Sequence, residues 1–247
     1  MIEPTESYIV CEGNHELNFL AGLLITSRQC KKANPQVDPW GKKVERHWAF
    51  VSQTGHFLRV VDAGGKGNDL KLVRRRLENR KTENVRQIVV CRDPDTDIET
   101  TESTGLRIEA LHSLARNFDN NAQISSDGDV TLDQGQTIIS LLRWEVPHDS
   151  IPGVPSVQLL ERLICAAIVR AYPERGEPVE KWLRSISDSP SPKSFGWSYM
   201  AGWYPDMGCH RFLVDLWEDP KISTELEKIL TSTGAWRIMG MLTNAEG

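Results

Sequence analysis

Short apolar runs that are typical of buried strands alternate with stretches of helical periodicity along the first 172 residues of this chain. The first run covers residues 7–13 and precedes a helical pattern over 14–30, with Asn14 as its predicted N-cap. The alternation then continues with a strand and helix over 57–80, a strand and loop over 85–97, a helix over 104–118, a strand over 136–146 and a helix over 157–172. This order predicts an α/β fold in which helices flank a mostly parallel sheet.

The sequence changes character after residue 172, where serine and proline turn signals become frequent. We predict two or three helices here, packed on the sheet or forming a small lobe, so that residues 1–172 form an α/β core and residues 173–247 a mainly helical part. Clustered aromatic residues in this part favour a core or a protein contact, with stacking on nucleic-acid bases as the alternative. Four of the eight tryptophans lie here: Trp182, Trp197, Trp203 and Trp217.

Composition narrows the class of protein. With 39% hydrophobic and 26% charged residues, the chain is expected to be globular, and no apolar run is long enough to predict a membrane-spanning helix. The amino terminus lacks the pattern of a secretory signal. Cys11, Cys91 and Cys165 lie in apolar segments and are predicted to be buried free thiols, which favours a reducing, cytoplasmic location. The net charge of −5 gives no global sign of nucleic-acid binding, although a local patch would be compatible with it.

Acidic residues follow three of the predicted strands. Glu12 follows the first strand, with Glu16 one helical turn later; Asp93 and Asp95 follow the strand that begins at residue 85; Glu161 lies early in the helix after the fourth strand. Ligands of parallel sheets bind beyond the carboxyl ends of the strands, so these carboxylates converge if their strands are neighbours. Carboxylate oxygens suit Mg²⁺ or Mn²⁺, and a pair of such ions can promote phosphodiester cleavage.

Two of these segments, "YIVCEGNHELNFLAGLL" and "IVVCRDPDTD", resemble the Toprim-domain family, and most closely the OLD-type and stand-alone Toprim-like nucleases. The resemblance covers roughly residues 5–200 and implies a Rossmann-like fold. It further implies that Glu12, Asp93 and Asp95 hold metal and that Glu16 and Glu161 complete a second metal position. Lys193 would then steady charge in the transition state.

Several nearby features are interpreted with less specific roles. Arg92 departs from the family pattern, in which a small or apolar residue is common, and Asp97 is assigned a supporting role. The "GGKG" segment lacks the spacing of a phosphate-binding P-loop, so we predict a tight turn that brings backbone close to the metal site. His15 is the better functional candidate among the histidines. The arginine-rich segment 70–81 favours a solvated helix face over a phosphate contact.

The resulting expectation is a Mg²⁺- or Mn²⁺-dependent nuclease that cleaves DNA or RNA. The resemblance also implies a role in bacterial anti-phage defence with an ATPase partner encoded separately. No membrane association is expected, and a homodimer is compatible with the sequence. The alternative is a non-catalytic subunit that binds nucleic acid or regulates a partner on a Toprim scaffold.

Overall fold

The computed structural model describes residues 6–26, 30–32, 48–52, 55–65, 67–94, 107–146, 156–203 and 209–243. The chain forms two compact units, which we call the sheet unit and the helical unit. The sheet unit comprises Met1–Arg92, Leu106–Leu142 and Ile238–Gly247, and the helical unit comprises Asp93–Gly105 and Arg143–Arg237. The domain boundary expected at residue 172 stays a prediction.

One mixed sheet organises the sheet unit. Within the described residues it has eight strands in the order β2-β3-β4-β1-β5-β8-β7-β6. They are β1 (Glu6–Cys11), β2 (Cys30–Lys32), β3 (Trp48–Ser52), β4 (Phe57–Asp62), β5 (Val85–Arg92), β6 (Gln123–Ile124), β7 (Val130–Leu132) and β8 (Thr137–Arg143). The central strand β1 pairs in parallel with β4 and with β5. The pairs β2–β3, β3–β4, β6–β7 and β7–β8 are antiparallel.

The central strands are buried on both faces, which explains why they are continuous apolar runs in the sequence. All six residues of β1 are buried. Tyr8 and Val10 share one core cluster with Ile88 and Val90 of β5 and with apolar residues of the next helix along, α2 (Asp69–Asn79). Helix α1 (Asn14–Thr26) packs on β4, and α3 (Ile108–Ala115) packs on β7. The expected α/β fold with flanking helices is therefore confirmed.

The expectation of a mostly parallel sheet holds for β4, β1 and β5, whose pairings with one another are parallel, whereas the pairs β2–β3, β3–β4, β6–β7 and β7–β8 are antiparallel. Four strands were not predicted: β2 and β3, which flank a polar, turn-rich segment, and β6 and β7, which are too short to show a period. The helix predicted over 14–30 ends at Thr26, and Cys30 already belongs to β2. Short antiparallel strands at a sheet margin need little apolar sequence, because one face can remain in water.

Among the described residues, the first helix of the helical unit is α4 (Leu160–Ala171), which packs against two later helices. The prediction of two or three helices after residue 172 was wrong, because the described residues contain five: α5 (Gly176–Ile186), α6 (Pro192–Trp203), α7 (Cys209–Asp215), α8 (Pro220–Ser232) and α9 (Ala235–Thr243), of which α9 continues into the sheet unit. Closely spaced turn residues divide this region into short helices. Trp217 is buried, whereas Trp182 and Trp197 are exposed.

Two further sequence expectations can be compared with the described residues. No helix among them combines the length and apolarity needed to cross a bilayer. The arginine-rich segment does carry a solvated face, since Arg74, Arg75 and Lys81 are exposed, whereas Arg80 is buried and makes a salt bridge to Asp133 with Nε–Oδ2 at 2.6 Å.

Candidate functional site

The carboxyl ends of β4, β1 and β5 lie at one edge of the sheet, because the three strands are parallel and adjacent. Glu12 is the first residue after β1. The backbone N–H of Gly65 donates to the carbonyl oxygen of Glu12 at 2.9 Å. Gly64 and Gly65 have φ angles of +72° and +111°, which only glycine adopts readily. The predicted tight turn is therefore confirmed, and its backbone lies against Glu12.

The Glu12 carboxylate is held by an arginine that ends the neighbouring strand. Arg92 Nη1 lies 3.0 Å from Glu12 Oε2, and Arg92 Nη2 lies 2.7 Å from Asp69 Oδ2. Arg92 Nε donates to the same Asp69 oxygen at 2.8 Å. One guanidinium group thus bridges two carboxylates that are 57 positions apart in the chain, since a planar guanidinium offers donors on two sides. We call Glu12, Asp69 and Arg92 the carboxylate–arginine cluster.

The side chain of Glu16 contacts the backbone of the residues that follow β1. Its Oε2 atom accepts hydrogen bonds from the N–H of Glu12 and from the N–H of Gly13, the latter at 3.3 Å. The side chain is buried and lies in the first turn of α1. A carboxylate in this position satisfies N–H groups that the helix cannot pair internally, and it interacts favourably with the helix dipole. The structure therefore brings Glu12 and Glu16 together and gives Glu16 a capping role.

Three other predicted site residues belong to the helical unit. Asp93 Oδ1 accepts a hydrogen bond from the backbone N–H of Leu160 at 2.8 Å, which fixes the start of α4. Glu161, the next residue, is buried with 9% exposure. A Cβ added at Gly196 of α6 would lie 3.5 Å from Glu161 Cβ, so the two helices approach closely there. Lys193 is exposed and precedes Gly196 by about one helical turn.

Two predicted aspartates, Asp95 and Asp97, lie outside the described residues. Among the residues that are described, no group of three or more His, Cys, Asp or Glu side chains is arranged to hold a metal ion. The proposed ligand set therefore stays a prediction. Glu12 and Glu16 belong to the sheet unit, and Asp93 and Glu161 belong to the helical unit.

Cysteine thiols lie next to the carboxylate–arginine cluster in the chain. Burial raises the pKa of Cys11 well above its usual value, and the neighbouring Cys91 adds to this effect. Burial likewise raises the pKa of Cys91 and of Cys165. These thiols stay protonated at neutral pH, and the thiolate is the form that binds metal. The prediction of buried free thiols is confirmed for all three.

Sequence reasoning missed Asp69. It is the first residue of α2 and is only 2% exposed. An acidic residue at the start of a helix is an ordinary helix-dipole partner, so its local sequence carries no sign of a site. Only the sheet topology brings it to Arg92. The departure from the family pattern at Arg92 was the one available signal that the cluster exists.

Comparison with known proteins is informative for the fold. No family model and no curated protein matches the chain. A solved structure, the crystal structure of hypothetical protein PH0156 from Pyrococcus horikoshii OT3, is similar with a TM-score of 0.73 and 16% sequence identity. The similarity covers 97% of this chain and 100% of that chain. At this identity the likeness shows a shared fold and carries no functional assignment.

Proposed function

We propose that this chain is a Toprim-like phosphoryl-transfer enzyme that depends on Mg²⁺ or Mn²⁺, and specifically a nuclease. The observation that carries the proposal is topological. Glu12 and Asp93 directly follow β1 and β5, and these two strands are adjacent and parallel. The family pattern has an acidic residue after the first strand and a D-x-D motif after a later one, and adjacent strands are what this pattern requires.

The donor chemistry at the strand ends fits a hard cation. The available groups are carboxylates, and the nearby thiols are protonated. A buried oxygen of Asp69, Oδ1, has no hydrogen-bond partner among the described residues, so the edge retains capacity for a cation. A divalent ion bound there would polarise a phosphodiester and activate water.

The side chains of the chain have distinct roles in this proposal. Glu12, Asp93 and Asp95 would hold the ion, and Glu16 and Glu161 would complete a second position. The Lys193 ammonium would offset the charge that develops on the phosphate. Glu16 and Asp93 also fix the starts of α1 and α4 through the hydrogen bonds described above, so each carboxylate would be held in one orientation.

The wider setting follows from the family resemblance and belongs to the same proposal. Stand-alone Toprim-like chains of this type resemble components of bacterial anti-phage systems, in which a separate protein supplies the ATPase. A cytoplasmic location, a nucleic-acid substrate and an ATPase partner are proposed here on that basis.

A second candidate function is a non-catalytic subunit that binds nucleic acid. The observation in its favour is that Arg92 already neutralises Glu12, with Nη1 and Oε2 3.0 Å apart. A Toprim scaffold in which an arginine permanently replaced the metal would lose cleavage and retain its surface for binding. This subunit would bind nucleic acid with equal affinity in Mg²⁺ and in EDTA.

The test uses the purified chain with plasmid, linear duplex DNA, single-stranded DNA and tRNA, in Mg²⁺, Mn²⁺ or EDTA. Glu12→Gln and Asp93→Asn are near-isosteric, and the amide introduced by Asp93→Asn keeps an oxygen for the N–H of Leu160. We expect metal-dependent cleavage that falls by about 100-fold or more in each variant, on the scale of losing a key electrostatic group. The exposed Glu78→Gln change in α2 is the matched control and should leave cleavage unchanged. Cleavage that survives both changes, or binding without cleavage on every substrate, would contradict the nuclease assignment.

A further inference from the structure

The Asp69 carboxylate is buried, and only one of its two oxygens has a hydrogen-bond partner within the described part of the chain. Its side chain is 2% exposed, and Oδ2 receives both contacts from Arg92. The second oxygen, Oδ1, is also buried and accepts no hydrogen bond from any described residue. Leaving a buried charged oxygen unsatisfied carries its full desolvation penalty, so native proteins usually provide a partner. A cation is the partner that an ionised carboxylate binds most strongly.

The carboxylates at this edge outnumber the guanidinium group that joins them. Arg92 contacts both the Glu12 and the Asp69 carboxylate, and the Glu16 carboxylate accepts the backbone N–H of Glu12. The side chain of Arg92 is 12% exposed, and that of Glu12 is 20% exposed. The cluster is thus open to solvent from the Glu12 side, where a small ion can enter.

We propose that Asp69 is an additional carboxylate ligand of the divalent-metal site, and that Arg92 is an internal cation which the metal displaces from Glu12. This inference rests on the proposed function, because it concerns the same edge of the sheet. In the metal-free protein the Arg92 guanidinium neutralises Glu12 and Asp69 together. Metal loading frees Nη1 of Arg92 from Glu12, so the arginine and the metal compete for the same carboxylate.

A simpler role for Asp69 makes a different prediction. If Asp69 only anchors Arg92, its contribution disappears once Arg92 is removed. If Asp69 binds metal, its carboxylate matters more in a protein that lacks Arg92. The two roles therefore separate in a double-variant comparison, in which Asp69→Asn is measured with and without Arg92.

The experiment is a titration of Mn²⁺ alone into the 247-residue chain, followed by calorimetry and by thermal unfolding at several Mn²⁺ concentrations. Arg92→Gln removes a positive charge that lies within about 4 Å of the Glu12 and Asp69 carboxylates. We expect the Mn²⁺ dissociation constant of this variant to fall about tenfold. Asp69→Asn introduced into Arg92→Gln should raise that constant about tenfold again. Mn²⁺ should stabilise Arg92→Gln against heat more than the unmodified chain, since tighter ligands stabilise more.

Two controls keep the result interpretable. Arg92→Lys retains the charge and should bind Mn²⁺ about as weakly as the unmodified chain. Arg74→Gln removes an exposed arginine of α2 and should have no effect. Equal Mn²⁺ affinity in Arg92→Gln and the unmodified chain would overturn the competition. An unchanged affinity when Asp69→Asn is added to Arg92→Gln would overturn the ligand role of Asp69.

These outcomes are distinct from a failure of the proposed function. Saturable Mn²⁺ binding and metal-dependent cleavage by the unmodified chain, with no response to Arg92→Gln, would overturn this inference and leave the nuclease intact. Absence of Mn²⁺ binding in the unmodified chain and in every variant would overturn both.

Discussion

The two ends of the central strands both bury charge, and they balance it differently. At the amino end, Glu6 is fully buried, and Arg59 Nε lies 3.2 Å from its Oε1. Arg76 Nη1 lies 2.7 Å from Glu83 and 3.9 Å from Glu6. Two carboxylates thus meet two guanidinium groups. At the carboxyl end, the carboxylates of Glu12 and Asp69 share the single guanidinium group of Arg92.

The comparison separates charge that stabilises a fold from charge that is available to a ligand. We call Glu6, Arg59, Arg76 and Glu83 the amino-end cluster. This cluster also contacts an aromatic ring, with the Arg76 guanidinium 4.2 Å from the centre of the Tyr8 ring. Its charges form ion pairs with one another. The carboxylate–arginine cluster at the carboxyl end has more carboxylates than guanidinium groups and is partly accessible to solvent. These are the properties expected of a cation site.

The largest effect on stability is expected from Glu6→Gln at the amino end. Removing this carboxylate leaves buried arginines with less negative charge than they need, which typically costs about 3–5 kcal/mol. Urea unfolding monitored by circular dichroism gives the change in the free energy of unfolding. The exposed Glu78→Gln is the control and should stay within about 0.5 kcal/mol of the unmodified chain. A cost for Glu6→Gln below about 1 kcal/mol would show that the amino-end cluster is not structural.

The second largest effect on stability is expected from lowering the pH, through His56 at the amino end. His56 is buried there and makes a 2.7 Å hydrogen bond between its Nε2 and Ser7 Oγ. Burial, helped by the positive charge of Arg86, lowers the pKa of His56 from 6.5 to about 4. The unfolded chain binds this proton near pH 6.5, so the contribution to stability is present above pH 6.5 and is lost as the pH falls to about 4.

That loss amounts to about 3 kcal/mol, because each pKa unit corresponds to about 1.4 kcal/mol. The measurement is the free energy of unfolding of the unmodified chain and of His56→Gln between about pH 4 and pH 6.5. In this range His56 is protonated in the unfolded chain but not in the folded one. Other groups titrate in both proteins, so the difference between the two curves isolates His56. Curves that run parallel over this range would contradict the assignment.

The smallest effect on stability is expected from Glu12→Gln at the carboxyl end. Glu12 is partly exposed, and Arg92 keeps its two contacts to Asp69. Partly solvated ion pairs contribute about 1 kcal/mol or less, so the free energy of unfolding in metal-free buffer should change by no more than that. A loss above about 2 kcal/mol would make Glu12 a structural residue like Glu6.

Local sequence predicted those parts of the fold whose residues share one environment. Strand β1 is buried along its whole length and β5 along most of it, so each stands out as an apolar run against the flanking turns. By contrast, β6 has two residues, both exposed, and pairs with β7 through backbone hydrogen bonds that do not depend on side-chain type. No hydrophobic pattern reveals such a strand.

The candidate site divides in the same way. Glu12 and Asp93 were predictable as candidates because an acidic residue directly after a buried strand is a local signal. Their relation depends on β1 and β5 being neighbours, although β4 comes between them in the chain. The link from Asp69 through Arg92 to Glu12 depends on three separate segments, and no single segment reveals it. The capping bonds of Glu16 and Asp93 likewise depend on where the helices begin.

The most direct test of the central claim is a crystal of the unmodified chain soaked in Mn²⁺ and measured at a wavelength where manganese scatters anomalously. We predict an anomalous peak about 2.1 Å from a Glu12 carboxylate oxygen, the distance typical of small divalent ions of this kind. The Arg92 guanidinium should have moved away from Glu12 in the same crystal. A peak absent from this edge at saturating Mn²⁺, with Arg92 still bound to Glu12, would contradict the account.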